Sequence, residues 1–126
     1  MPKHLCFFLL AAVTFWPMAP IRLYAASTDT PIRVAIVGLV HGHVQGFLST
    51  LPTNRNAQLV AIVESDAALA DRYAARYHLD PKLFYTDTDR MIEEQRPDAL
   101  LVYTTIQDHR KVIETGARHG VSSMVE

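Results

Sequence analysis

The sequence predicts an α/β fold: a doubly wound parallel sheet of about five strands with helices on both faces. Three observations carry that expectation. Short apolar runs alternate with stretches of helical periodicity from Ile32 to Val125. The first run, Ile32-Arg33-Val34-Ala35-Ile36-Val37, is apolar on both sides, with Ile32, Val34 and Ile36 on one face and Ala35 and Val37 on the other. Such a strand is covered on both faces, as in a parallel sheet. The connections are short, so successive strands are joined by right-handed helical crossovers.

Each element has its own local reason. After the first strand, Val44, Phe47, Leu48 and Leu51 recur at helical spacing and form one apolar stripe. Pro52-Thr53-Asn54-Arg55-Asn56 is turn chemistry. Gln58 to Val63 is a second buried strand ending at Glu64, and Ser65 or Asp66 caps the helix that follows. That helix runs to about Tyr77, with Leu69, Ala70, Tyr73, Ala74 and Tyr77 inward. Leu83-Phe84-Tyr85 is a short third strand; Thr86 or Asp87 caps a helix carrying Met91 and Ile92, which Pro97 stops. Ala99 to Tyr103 is the fourth strand. Asp108 is expected to cap a helix with Val112, Ile113, Gly116 and Ala117 inward, and Gly120 suits its C-terminal turn. Val121 to Val125 is the fifth strand, followed by Glu126.

The chain has 126 residues, 49% of them hydrophobic, with a net charge of −1, which suits one domain with a modest core. Near-neutral charge argues against nucleic acid as a partner. Residues 1–26 are of another kind. Lys3 and His4 precede an apolar run from Leu5 to Trp16, Pro17 and Pro20 follow, and Leu23-Tyr24-Ala25 offers a cleavage point before Ala26 or Ser27. That order reads as a secretory signal, too short and broken for a comfortable membrane span. The expected organisation is therefore a signal peptide over 1–26, a polar linker over 27–31 and a domain over 32–126. The chain is then exported; otherwise it is membrane-anchored or cytoplasmic. Cys6, the one cysteine, lies in the signal, so neither an internal disulfide nor a cysteine metal site is expected.

The chemistry concentrates at strand ends. Gly38, Gly42 and Gly46 fall four apart between the first strand and its helix. They do not spell GxGxxG, because Val40 and His43 stand at the second and third glycine places. Gly38 can still make the tight turn and Gly42 the close backbone approach to a phosphate, which points to a nucleotide, foremost a dinucleotide. The alternative is a strand–helix turn with no ligand. Glu64 ends the second strand, where a carboxylate accepts from both hydroxyls of an adenine ribose and repels a 2′-phosphate, favouring NAD over NADP. The alternative is a solvated strand-end acid. His41 and His43 flank Gly42, but no neighbouring Asp, Glu or Cys completes a metal shell, so no metal is expected and the pair is read as lining the phosphate turn. Thr104, Thr105, His109 and Glu126 sit where nicotinamide and substrate lie in such folds; each also has a structural reading as a cap or surface residue. No serine–histidine–aspartate or paired-carboxylate arrangement is readable.

The stretches IRVAIVGLVHGHVQGF, LVAIVESDAALADRYAARY, RPDALLVYTTIQDHRKVIETGARHG and the final MVE resemble the N-terminal Rossmann domain of the Gfo/Idh/MocA oxidoreductases. The resemblance spans Ile32 to Glu126. It implies binding of NAD or NADP and hydride transfer on a sugar, polyol or related alcohol. By the same resemblance, Gly38 to His43 bind the pyrophosphate and Glu64 the adenine ribose. Thr104 matches the threonine of the family's Thr-Pro-Asn segment and His109 its following histidine, while Thr105 and Ile106 depart from the Pro and Asn. Glu126 matches the glutamate of Glu-Lys-Pro, whose lysine acts in catalysis in the family. That lysine and the substrate domain, often also the dimer interface, lie beyond these residues, so the chain is expected to be part of a longer enzyme. No catalytic residue is then assigned in the chain itself, and a small-molecule substrate belongs to the full-length form. The resemblance leaves room for a homo-oligomer and implies no lasting membrane partner. The other reading is a non-enzymatic nucleotide-binding or interaction module, or an inactive remnant.

Overall fold

The computed structural model describes residues 30–126. The expected signal peptide and most of the linker lie outside the described residues. Five parallel strands form one sheet in the order β3-β2-β1-β4-β5. The strands are β1 (Ile32–Val37), β2 (Ala57–Val63), β3 (Phe84–Tyr85), β4 (Ala99–Val102) and β5 (Ser122–Val125). The helices between them are α1 (Val44–Thr50), α2 (Ala67–Tyr77), α3 (Thr88–Gln95) and α4 (Ile106–Arg118). Strand order reverses between β1 and β4, the switch point at which open α/β sheets leave a crevice. No helix among the described residues is long and apolar enough to cross a membrane.

The two faces of the sheet bury separate cores. Val34, Ile36, Ile62 and Leu101 pack with Val44 and Leu48 of α1, and Leu69, Tyr73 and Tyr77 of α2 close over them. Ala35, Val37, Ala61, Val63, Leu100 and Val102 pack on the other face with Met91 and Ile92 of α3 and Val112 of α4. The alternation expected in β1 therefore holds, except that Ile32 is 53% exposed, at the open N-terminal end of the strand. The β1–β2 register shifts between Val34 and Ala35, and Val60 joins Ala61 on the same face. A bulge of this kind sets two residues of one strand against one of its partner.

Caps fix where the helices start. The Asp66 side chain accepts from the N–H of Leu69 and that of Asp87 from Arg90, selecting the aspartates at both expected capping positions. At α4 the structure corrects the expectation. Thr105, in extended backbone, is the N-cap, and Asp108 lies one turn inside, accepting from the Thr105 hydroxyl at 2.6 Å. The buried stripe of α4 is Val112, Thr115 and Gly116; Ile113 is 42% exposed and Ala117 is also exposed. Close approach to β5 sets this rotation. A Cβ on Gly116 would stand 2.8 Å from Ser123 Oγ and 3.1 Å from the Val121 carbonyl, so a larger residue would force the helix or the strand end to shift. Leu83 falls in a 3₁₀ turn, Pro81–Leu83, whose start Asp80 caps through the N–H of Lys82; this shortens β3 to two residues.

Candidate functional site

Every residue proposed for chemistry from the sequence lies at or just after the carboxyl end of a strand. Backbone bonds carry the ladder past the strand ends. The N–H of Gly38 donates to Val63 O (2.8 Å), that of Tyr103 to Val37 O (2.8 Å) and that of Glu64 to Tyr85 O (2.9 Å). The turn after β1 is thereby pinned between β2 and β4. Gly38 has φ +83°, and a Cβ there would meet Thr104 Cγ2 at 2.5 Å and the Thr104 backbone at 2.9 Å. Glycine is required twice over, by conformation and by space. Around Gly42 nothing approaches within 4 Å of where a Cβ would be, so that glycine faces open space and leaves its backbone accessible.

Glu64 is 9% exposed. Its Oε2 accepts from the N–H of Leu39 and its Oε1 from that of Asp66, both at 2.9 Å. The carboxylate thus ties β2 to the glycine turn and to the start of α2. Each oxygen keeps a further lone pair for another donor. Gly38, Glu64, Thr104 and Thr105 line one cleft of about 330 Å³ over the ends of β1, β2 and β4, together with residues 86–89 and the inner side of α4. Asp108 and Lys111 also line it, and neither was singled out from the sequence for chemistry. Their spacing from Thr115 along α4 is the signal that places all three on one side of that helix. The cleft gathers Glu64, Asp87, Asp89 and Asp108 against the one cation Lys111, so its field is acidic.

The other candidates stand apart from that cleft. His109 Nε2–H donates to the Thr104 carbonyl at 3.2 Å, buttressing the end of β4. His41, His43 and Glu126 form a second group. His43 Nδ1–H donates to Glu126 Oε2 at 2.7 Å, and the two histidine rings meet edge to face with centroids 4.7 Å apart. The expectation that no carboxylate stands near the histidine pair is therefore overturned. Glu126 is brought in by β5, from 83 residues away, a proximity that local spacing cannot reveal. Beside this group, burial pushes the Tyr103 phenol above its ordinary range, and the Glu126 carboxylate adds to that.

The glycine turn pinned at the switch point, with a strand-end carboxylate beside it, is the arrangement in which a doubly wound sheet receives a dinucleotide. The model of the Gfo/Idh/MocA oxidoreductase family, NAD-binding Rossmann fold, matches residues 32–126. The chain belongs to this family. Among solved structures it is similar to apo scyllo-inositol dehydrogenase from Lactobacillus casei, with a TM-score of 0.65 and 21% identity over 78% of this chain and 28% of that one. It is similar to myo-inositol 2-dehydrogenase from Lactobacillus plantarum, with a TM-score of 0.61 and 20% identity over 75% of this chain and 27% of the other. It is also similar to the WlbA dehydrogenase from Bordetella pertussis in complex with NADH and UDP-GlcNAcA, with a TM-score of 0.63 and 20% identity over 75% and 29%. The chain thus spans less than a third of the length of each of these proteins. No curated protein matches it.

The residues present fit NAD. Gly42 leaves room for a close backbone approach, Gly38 forms the turn, and Glu64 holds its carboxylate at the cleft edge with acceptor capacity in reserve.

Proposed function

We propose that residues 32–126 are the cofactor-binding domain of an NAD-dependent oxidoreductase acting on a sugar, polyol or related alcohol. The observation that carries the reading is the coupling of Glu64 to the glycine turn through the N–H of Leu39. That hydrogen bond couples the carboxylate we assign to the ribose with the turn we assign to the phosphate. In this reading the Gly38–His43 backbone receives the pyrophosphate, Glu64 accepts from the adenine-ribose hydroxyls, and the acidic cleft takes the uncharged adenosine half. The same acids repel a 2′-phosphate, which selects NAD over NADP. Thr104 and Thr105 line that same cleft, while His109 and Glu126, outside it, stand toward the side on which the nicotinamide would lie. NAD, when bound, supplies the hydride acceptor for a carbinol carbon. The inositol and UDP-sugar dehydrogenases among the structural neighbours support the alcohol class of the substrate.

Comparing NAD with NADP across the wild type and Glu64→Gln tests this. Gln presents one acceptor oxygen where Glu presents two. The wild type should bind NAD more tightly than NADP. Glu64→Gln should lose roughly tenfold or more in NAD affinity, as expected for a hydrogen bond to a charged group, and should narrow the preference. NADP binding as tight as NAD in the wild type would contradict the assignment of Glu64.

A further inference from the structure

The group His41, His43 and Glu126 lies outside the cleft assigned to the adenosine. Each of these side chains offers one metal-ligating atom, and the three atoms lie within 4.8 Å of one another. Nδ1 of His41 is buried and has no hydrogen-bond partner among the described residues. A buried polar atom without a partner is costly, and a ligand is one physical reason for it to persist. The backbone on both sides is held. The N–H of His41 donates to Tyr103 O at 3.0 Å, that of Gly46 donates to His43 O at 3.0 Å, and that of Glu126 to Val102 O at 3.2 Å. Two chain segments, the turn from His41 to the N-cap His43 and the end of β5, thus present two imidazoles and one carboxylate to a common point.

We propose that His41, His43 and Glu126 form a binding site for a divalent transition ion of the zinc class. The donor set decides the class. Two neutral imidazoles and one carboxylate suit zinc, cobalt or nickel; calcium and magnesium take oxygen donors, and soft ions take sulfur. Bond lengths of about 2.0–2.2 Å around a tetrahedral ion separate the ligand atoms by about 3.3 Å, so the group contracts on the His41 side and opens slightly between His43 and Glu126. The His43 proton that now bridges to Glu126 moves to Nε2, and the ion takes its place on Nδ1. Three protein ligands leave one position open to an oxygen donor, the pattern of reactive rather than purely structural zinc sites.

The proposal does not rest on NAD binding and is tested without dinucleotide present. The full chain is freed of metal with a chelator, then titrated with zinc by calorimetry and with cobalt by visible absorption. The expected result is a micromolar zinc site, one per chain, with cobalt bands of four- or five-coordinate geometry. His43→Ala and Glu126→Gln should each weaken zinc by roughly tenfold or more and bleach the cobalt bands. Both side chains are exposed, so these variants keep the fold, and His78→Asn, far along the chain, should bind as the wild type does. Zinc binding no tighter than millimolar, or binding unchanged in His43→Ala and Glu126→Gln, would overturn the proposal.

Discussion

At Gly38 a methyl group has nowhere to go, and at Gly42 it meets nothing within 4 Å. Gly38→Ala should therefore destabilise the fold by at least about 2 kcal/mol, from the left-handed backbone and the collision with Thr104 together. Gly42→Ala should change stability by less than about 0.5 kcal/mol and yet weaken NAD, because its backbone is the part open to a phosphate. Urea denaturation of both variants beside an NAD titration separates the two roles. Equal loss of stability in both would contradict them. Gly38 and Glu64 were legible from the sequence because each needs only its own strand to place it: one follows the last apolar residue of β1, the other that of β2. His43 and Glu126 were each read as site candidates, but their meeting was not legible, nor was the place of Asp108 and Lys111 in the cleft. Those meetings depend on how β5 and α4 close over the sheet, which no local spacing encodes.

Among the elements, periodicity was a sound guide for strands covered on both faces and a weaker one for α4. Val112 and Gly116 face inward as expected, but Ile113 does not, because the closeness of Gly116 to Ser123 rotates the helix toward Thr115. Two helices end on a left-handed residue that is not glycine. His78 after α2 has φ 53° and Arg96 after α3 has φ 47°, both in the left-handed region where a Cβ is strained. Neither was signalled by composition, since glycine is the usual marker of such an ending. Arg96→Gly should raise stability by about 0.5–1 kcal/mol, readable as a higher urea midpoint with an unchanged slope. Asp87→Ala should lower it by about 1 kcal/mol through loss of the cap on the Arg90 N–H. If Arg96→Gly lowered the midpoint instead, the arginine side chain would have a role that its exposed position does not suggest.

Across the whole molecule, the sheet order places every strand-end candidate on one side, and side chains tie the outer helices together. Asp89 of α3 accepts from His119 Nε2–H at 2.8 Å and from Arg118 of α4 at 3.2 Å. The hydrogen bond from His119 holds its carboxyl below the ordinary aspartate value; burial opposes this, and Arg118 reinforces it. A carboxyl lowered in the folded state stabilises above its unfolded value and loses that contribution as pH falls through its folded value. The difference in melting temperature between wild type and Asp89→Asn should thus be present at neutral pH and shrink below about pH 4, with a worth under about 1 kcal/mol for so exposed a link. A difference that grew on acidification would contradict the sign. The doubly wound architecture itself was readable from alternation and short connections alone, because parallel order and right-handed crossovers leave few other arrangements. The central claim, that this domain receives NAD over the Gly38 turn and Glu64, is tested most directly by titrating the folded, purified chain with NAD in a calorimeter. Saturable one-to-one binding that Glu64→Gln weakens is the predicted result; a folded chain that takes up no NAD at millimolar concentration would contradict it.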